Sequence, residues 1–356
     1  MASPTIPKEM KALTSSNKSG TVTTIPVPEL RPTYLLIKVH SVALNPTDWK
    51  HIAGGLHGDP WSIVGCDYAG TVVSIGSEVT KSFKVGDKVF GCAHGSNSSQ
   101  PYDGVFAEYA AVKGDVAMRI PDSVSFEDAS TIGLGSITVG QGLFQQGKGL
   151  GLELPFEGKG NDEWVLIYGG STATGTLGIQ FAKLAGYKVI TTCSPRNNEL
   201  VKSRGADEVF DYNDPACGSK IRELTGDKLR WAWDTVGNDS SAKVCAEALS
   251  SHGNVCHFGT ILTNQLPRDD GVKYTSTLMY TVFGEEFLKF GQTFPASKED
   301  FEFGKYWFEL TEKLLKEGKL KNHPAKVGDG GLDGVLKGLN DMQNGKVSGQ
   351  KLVYKL

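Results

Sequence analysis

The residues best suited to chemistry gather at Gly169-Gly170-Ser171-Thr172-Ala173-Thr174-Gly175-Thr176-Leu177-Gly178. This run follows an apolar stretch, Trp164–Tyr168, and opens a segment of helical character that continues through Gln180 and Lys183. Glycines at a strand-to-helix turn let the backbone bend tightly and approach a pyrophosphate, whose charge is met by amides at the helix N-terminus. Measured against G-x-G-x-x-G, Gly170 and Gly175 fit, while Thr172 stands where the middle glycine belongs. One reading is a dinucleotide loop made of Gly170, Ser171, Thr172, Ala173, Thr174 and Gly175. The other is a Gly/Thr-rich turn that binds nothing, and the strand–loop–helix–strand context favours the first.

The end of the next strand bears on which dinucleotide would bind. An NAD site places Asp or Glu about 20 residues on, to hold the ribose 2′-hydroxyl. Here the stretch is Thr191-Thr192-Cys193-Ser194-Pro195-Arg196, with no acid. Ser194 can hydrogen-bond a 2′-phosphate and Arg196 can neutralise it, which points to NADPH. The alternative for Arg196 is a solvated surface side chain.

Other reactive side chains are less organised. The six cysteines form no Cys-x-x-Cys pair and read as buried free thiols. None of the seven histidines makes a triad-like or i, i+4 arrangement, although His51 and His57 lie near the Asn45–Asp48 loop. Cys66, Asp67 and Asp48 could improvise a metal site, but they lack a neighbouring His or a second thiol, so no metal is expected.

The elements that must position these residues fall into two kinds. In the first third, Tyr34–Val39, Gly70–Ile75 and Lys88–Phe90 are short β-branched or aromatic runs cut by Gly, Pro and Asp, which predicts a small barrel-like domain. From Trp164 onward strand and helix patterns alternate, with strands predicted at Trp164–Tyr168, Lys188–Thr192, Glu208–Asp211, Trp231–Asp234 and Asn254–Phe258. That alternation predicts an α/β domain with a doubly wound parallel sheet. The glycines between 140 and 160 predict a surface insertion. Helical spacing recurs from Lys298 to Lys316, and a last strand at Lys351–Tyr354 could rejoin the first domain.

At 356 residues the chain is long enough for two domains. With 37 Lys and Arg against 40 Asp and Glu, no global field would draw it to nucleic acid or to an anionic membrane, so small molecules are the expected partners. The N-terminal stretch has no charged start followed by an apolar run, and no apolar run reaches membrane-spanning length, which predicts a cytosolic protein.

The runs Leu44-Asn45-Pro46-Thr47-Asp48, Gly65-Cys66-Asp67-Tyr68-Ala69-Gly70-Thr71-Val72, Val85-Gly86-Asp87-Lys88-Val89 and the Gly169 loop together resemble the medium-chain dehydrogenase/reductase superfamily. More narrowly, Tyr168–Thr174, Thr192–Pro195 and Lys202–Tyr212 resemble the fungal trans-acting enoyl reductases that serve polyketide synthases, the lovastatin enzyme among them. The resemblance implies a GroES-like catalytic domain from residues 1–137 and 300–356 around a Rossmann-type domain at 138–299, with catalysis in the cleft between them. It also implies hydride transfer from NADPH to the β-carbon of an α,β-unsaturated thioester, held on a carrier protein, by a monomer or homodimer. Ser194, Lys202 and Tyr212 would surround the 2′-phosphate, the segment ending in Lys351 would approach the cofactor, and Phe283 would line the substrate pocket; the alternatives are a solvated helix residue for Lys202 and a core side chain for Phe283.

For the polar roles, Lys50 follows the Asn45–Asp48 loop and is a candidate donor to the enolate or to a cofactor ribose, the alternative being an exposed lysine. The resemblance places Thr138 on the nicotinamide ribose or carboxamide, the alternative being a helix cap or core hydroxyl, and Asn45 is a candidate neutral replacement for a metal ligand, the alternative being loop-shaping hydrogen bonds. Zinc alcohol dehydrogenases would carry Cys in place of Asn45 and His-Glu in place of Cys66-Asp67, and the four-Cys lobe is absent. Two other functions share these features: a zinc-free quinone or small-enone reductase, and a non-catalytic NADPH-binding protein.

Overall fold

The computed structural model describes residues 6–156 and 162–356. The chain forms two compact units, unit 1 from residues 1–134 with 280–356, and unit 2 from residues 135–279. Residues 280–299, grouped with the nucleotide-binding half by the sequence reading, pack within unit 1.

Unit 2 holds a six-stranded parallel sheet in the spatial order Glu208–Phe210, Lys188–Thr192, Trp164–Tyr168, Trp231–Asp234, His257–Thr260, Lys273–Ser276. The first strand of unit 2, Trp164–Tyr168, sits third in the sheet, so the order reverses beside it, and a doubly wound sheet binds ligands at the carboxyl ends of the strands flanking such a switch point. Leu166, Ile190, Ala232 and Phe258 are fully buried in the core of this sheet. Helices Ala173–Leu184, Cys217–Leu224 and Asp239–Ala248 supply the crossovers.

Two expectations need correction here. The fifth strand begins at His257 instead of Asn254, because Gly253–Val255 closes a tight turn through the Cys256 amide and the Gly253 carbonyl, 2.9 Å, and leaves Val255 exposed. The glycine-rich region after 140 is also no surface insertion in its described part. Gly140–Phe144 is a buried π-helical turn continuing the helix Gly133–Val139, and Leu150 and Leu152 are buried as well. A Cβ on Gly142 would lie 2.5 Å from Trp233 Nε1, and one on Gly149 would lie 2.1 Å from the Gln141 carbonyl oxygen. The glycines therefore permit close packing against a buried indole. Gly158 and Gly160 lie outside the described residues.

In unit 1, a largely antiparallel sheet orders Ala325–Gly328, Lys351–Lys355, Tyr34–Ala43, Asp67–Ile75, Lys88–Cys92 and Met118–Arg119, with Tyr109–Lys113 also paired to Tyr34–Ala43. The last strand pairs with the third strand of the chain, Val353 opposite Ala43 and Tyr354 opposite Val42. A smaller sheet joins Ser19–Pro26, Glu9–Ser16 and Ser62–Ile63. Helix Lys298–Lys316 buries Trp307, Phe308, Leu314 and Leu315 on one face, as its periodicity requires. A short hairpin, Phe287–Lys289 with Gln292–Phe294, follows the segment at Tyr280. All six cysteines are buried and free. Among the described residues, no helix is long and apolar enough to cross a membrane.

Candidate active site

Unit 2 carries the candidate phosphate loop. After Trp164–Tyr168 the chain turns at Gly169, whose φ of 79° lies in the left-handed region where glycine is favoured. A Cβ on Gly170 would lie 2.0 Å from Thr191 Oγ1, and one on Gly175 would lie 2.3 Å from the Gly169 carbonyl oxygen. The Thr191 side chain thus demands glycine at 170, and the nearby backbone demands it at 175. Thr172 is the N-cap of helix Ala173–Leu184, its hydroxyl accepting from the Gly175 amide at 2.9 Å. The same oxygen lies 3.0 Å from Thr235 Oγ1, which donates to the Tyr168 carbonyl at 2.8 Å. A threonine at the middle position is therefore a structural choice that leaves the loop in shape. The first-turn amides, including those of Ala173 and Thr174, have no acceptor within the helix and favour an anion at its N-terminus.

At the carboxyl end of the neighbouring strand, the Ser194 and Tyr212 hydroxyls lie 3.0 Å apart. Asn197 donates to Ser171 Oγ at 3.1 Å, tying the glycine-rich loop to the turn after Ser194. Arg196 and Lys202 are exposed on that turn and on the short helix that follows it. No carboxylate occupies 194–198. These residues fit a dinucleotide carrying an additional phosphate. Thr138 is half-buried on helix Gly133–Val139.

Unit 1 brings Asn45 together with two groups from distant parts of the chain. Asp67, fully buried, accepts from the Leu134 amide at 2.6 Å on Oδ1, and from Asn45 Nδ2 at 2.8 Å and Lys351 Nζ at 2.5 Å on Oδ2. Lys351, 2% exposed, also contacts the Thr131 carbonyl at 3.4 Å. Asn45 begins helix Pro46–Gly54, and its amide donates to Asp48 Oδ2 at 2.7 Å. On this helix Lys50 is exposed, with its ammonium 5.8 Å from the Trp49 ring.

The same helix meets a buried cluster. Thr47 lies 3.4 Å from the Tyr280 hydroxyl and 2.9 Å from His51 Nδ1. His94 stacks on Tyr280 with ring centroids 3.8 Å apart, and Phe283 stacks beyond it at 6.5 Å. Burial, aided by nearby Lys289, holds the His51 imidazole down at about 4. Burial pushes the Asp48 carboxyl up to about 7 against the hydrogen bond from Asn45.

Zinc does not fit the donor set here. Asp67 has both oxygens engaged, one by the Lys351 ammonium, so a second cation would meet positive charge. Burial together with Asp48 and Asp67 holds the Cys66 thiol well above its usual value and disfavours the thiolate that a metal requires.

Comparison with known proteins gives these features a family. Residues 31–122 match the alcohol dehydrogenase GroES-like domain, and residues 173–292 match the zinc-binding dehydrogenase domain. A trans-enoyl reductase of Alternaria alternata is 45% identical over 93% of this chain and 94% of its own length. One from Aspergillus sclerotiorum is 43% identical over 96% of this chain and 98% of its own. The chain belongs to the trans-enoyl reductases. This trans-enoyl reductase is an oxidoreductase of the medium-chain dehydrogenase/reductase superfamily and has that superfamily's nicotinamide-cofactor-binding fold. A quinone oxidoreductase from Coxiella burnetii has a TM-score of 0.71 at 25% identity, covering 98% of this chain and 100% of that one. A mycobacterial protein solved with NADPH shares the fold, with a TM-score of 0.73 at 20% identity over 98% of this chain and all of its own.

Sequence reasoning did not foresee the Asp67–Lys351 pair, the support from Thr235 and Asn197, or the cluster of His94 and Lys289. Asp67 and Lys351 stand 284 positions apart, and nothing in the spacing connects them. Thr235 follows the strand Trp231–Asp234, and that position at a parallel-strand end was the available signal.

Proposed function

We propose that this trans-enoyl reductase uses NADPH to reduce the carbon–carbon double bond of an α,β-unsaturated acyl thioester, presented in the cytosol on a carrier protein of a polyketide synthase. The near-full-length likeness to trans-enoyl reductases carries the substrate class. The acid-free strand end with its Ser194–Tyr212 hydroxyl pair supports NADPH over NADH. When bound, NADPH supplies the hydride.

The chain's own residues bind and orient. The Gly170–Gly175 loop and the first amides of its helix hold the pyrophosphate, with Ser194, Arg196, Lys202 and Tyr212 around the 2′-phosphate. Thr138 hydrogen-bonds the nicotinamide ribose or carboxamide. Lys50 donates to the enolate oxygen or a ribose hydroxyl, and Phe283 lines the acyl pocket. Asn45 contributes a neutral amide, oriented by the Asp67 carboxylate that Lys351 holds in place. Positioning supplies most of the rate, since well-oriented reactants remove roughly 7 to 11 kcal/mol of barrier.

The test is NADPH oxidation followed by absorbance, with a crotonyl or longer enoyl thioester and a quinone in parallel and NADH as the control. Rapid NADPH-specific thioester reduction, lowered in Lys50→Ala and Thr138→Ala, is the expected result. Preference for the quinone would place the protein with the quinone and small-enone reductases. Unchanged turnover in both variants would remove Lys50 and Thr138 from the mechanism.

A further inference from the structure

The proposed reaction needs a proton at the α-carbon as well as a hydride at the β-carbon, and none of the roles above supplies it. Unit 1 contains a lysine whose surroundings have no structural explanation. Lys289, at the end of the strand Phe287–Lys289, is 5% exposed. Its ammonium is 3.4 Å from His94 Nε2 and 4.4 Å from the centre of the Tyr280 ring, and among the described residues no carboxylate pairs with it. A buried ammonium without a counter-charge is costly, and proteins retain one where it has work to do.

Its neighbours sharpen the point. His94 accepts from the ammonium through Nε2 and is itself packed against Tyr280 and Phe287, with the Phe287 ring at 5.0 Å in edge contact. His51 Nδ1 donates to the Thr47 carbonyl at 2.5 Å, which leaves Nε2 as an acceptor, and this buried atom has no hydrogen-bond partner. Two imidazoles and an ammonium thus share one buried, aromatic-walled cluster in which the ammonium has no carboxylate partner among the described residues and one imidazole nitrogen is orphaned. A bound ligand that develops negative charge would give the ammonium its missing counter-charge. Thr47 and Asp48, beside this cluster, are on the helix that carries Lys50.

We propose that Lys289, held by His94 under the Tyr280 ring, is the acid that protonates the α-carbon. This rests on the enoyl-reductase reading above. Hydride addition at the β-carbon leaves the electron pair of the former double bond on the thioester enolate. The enolate α-carbon then forms a C–H bond as an N–H bond of the ammonium breaks, the carbonyl re-forms, and the neutral amine regains a proton from solvent. A donor titrating near working pH suits this role, and burial lowers the Lys289 ammonium to about 8, with Cys66 acting in the opposite direction. The groups facing it are His94, His51, Tyr280 and Cys66, of which burial keeps both imidazoles neutral and the phenol and thiol protonated. Activity requires the ammonium, so kcat/KM falls as pH rises through about 8.

The test is Lys289→Met, of similar length and without charge, with Lys289→Gln as the second variant should the first not fold. Each is compared with wild type by thermal unfolding, NADPH binding, and the pH profile of enoyl-thioester reduction. The expected result is an unchanged or higher Tm, unchanged NADPH affinity, kcat lower by on the order of 10²-fold or more, and loss of the fall in rate near pH 8. A structural lysine would give the opposite pattern, with lower Tm and near-normal rate in the folded fraction, and that result overturns the proposal. So does a variant that keeps the wild-type pH limb. A wild-type chain that reduces no enoyl thioester overturns the functional reading and this inference together, whereas an active wild type with an equally active Lys289→Met overturns this inference alone.

Discussion

Replacing Lys351 with Met tests whether a buried charge pair holds the candidate site together. Lys351 starts the last strand of the sheet, its amide donates to the Pro324 carbonyl at 2.9 Å, and its ammonium meets Asp67 Oδ2 at 2.5 Å. In Lys351→Met the carboxylate keeps its hydrogen bonds from Leu134 and Asn45 but loses its counter-charge in a position with 0% exposure. Stranding one member of a buried pair costs about 3–5 kcal/mol, while replacing both by neutral groups is often close to neutral. Lys351→Met and Asp67→Asn are each expected to lose ~3–5 kcal/mol in urea unfolding, a factor of about 10² to 10³ or more in the unfolding constant. The double variant should lose far less than their sum, with a coupling energy of ~2 kcal/mol or more. Lys351→Met within ~0.5 kcal/mol of wild type, or strictly additive single variants, would refute the argument that this pair fixes Asp67 and, through it, the Asn45 amide.

Other consequences are as direct. Gly170→Ala places a methyl 2.0 Å from Thr191 Oγ1 and 3.0 Å from Ile179 Cδ1, so it should cost ~1–3 kcal/mol and weaken NADPH binding, and adding Thr191→Ala should restore part of both in thermal unfolding and cofactor titration. Ser194→Ala and Tyr212→Phe each remove one hydroxyl of the pair proposed to bind the 2′-phosphate; NADPH affinity should fall by roughly 10-fold or more while NADH affinity stays constant, as measured by fluorescence titration. His51 has its folded value lowered from 6.5 to about 4, so the unfolded chain takes up the proton first and stability declines as pH falls from about 6.5 to about 4. The His51 contribution is ~3 kcal/mol, and His51→Gln should reduce that acid slope in urea unfolding run at successive pH values.

Much of this architecture was legible from local pattern. The parallel strands of unit 2 announce themselves as apolar runs such as Trp164–Tyr168 and Lys188–Thr192, and the helix Lys298–Lys316 as a periodic aromatic face. The strand–turn–helix at the glycine-rich loop was legible because turn chemistry and helix start coincide at Thr172 and Gly175. Gly140 to Gly149 misled because glycine signals a loose loop and a close contact equally well, and only the Trp233 indole, ninety-one positions beyond Gly142, distinguishes them. The same limit hid the polar part of unit 1. Asp67 with Lys351, and His94 with Lys289, are contacts between segments far apart in the chain, and no periodicity records them.

The proposed reaction is hydride delivery from NADPH to the β-carbon of an enoyl thioester. The most direct measurement is a reduction run with NADPH carrying deuterium at the transferring C4 position, with the label located in the saturated product by NMR. Deuterium at the β-carbon, with the α-carbon hydrogen drawn from solvent, is the result this account predicts; deuterium at the α-carbon, or a saturated product without label, would contradict it.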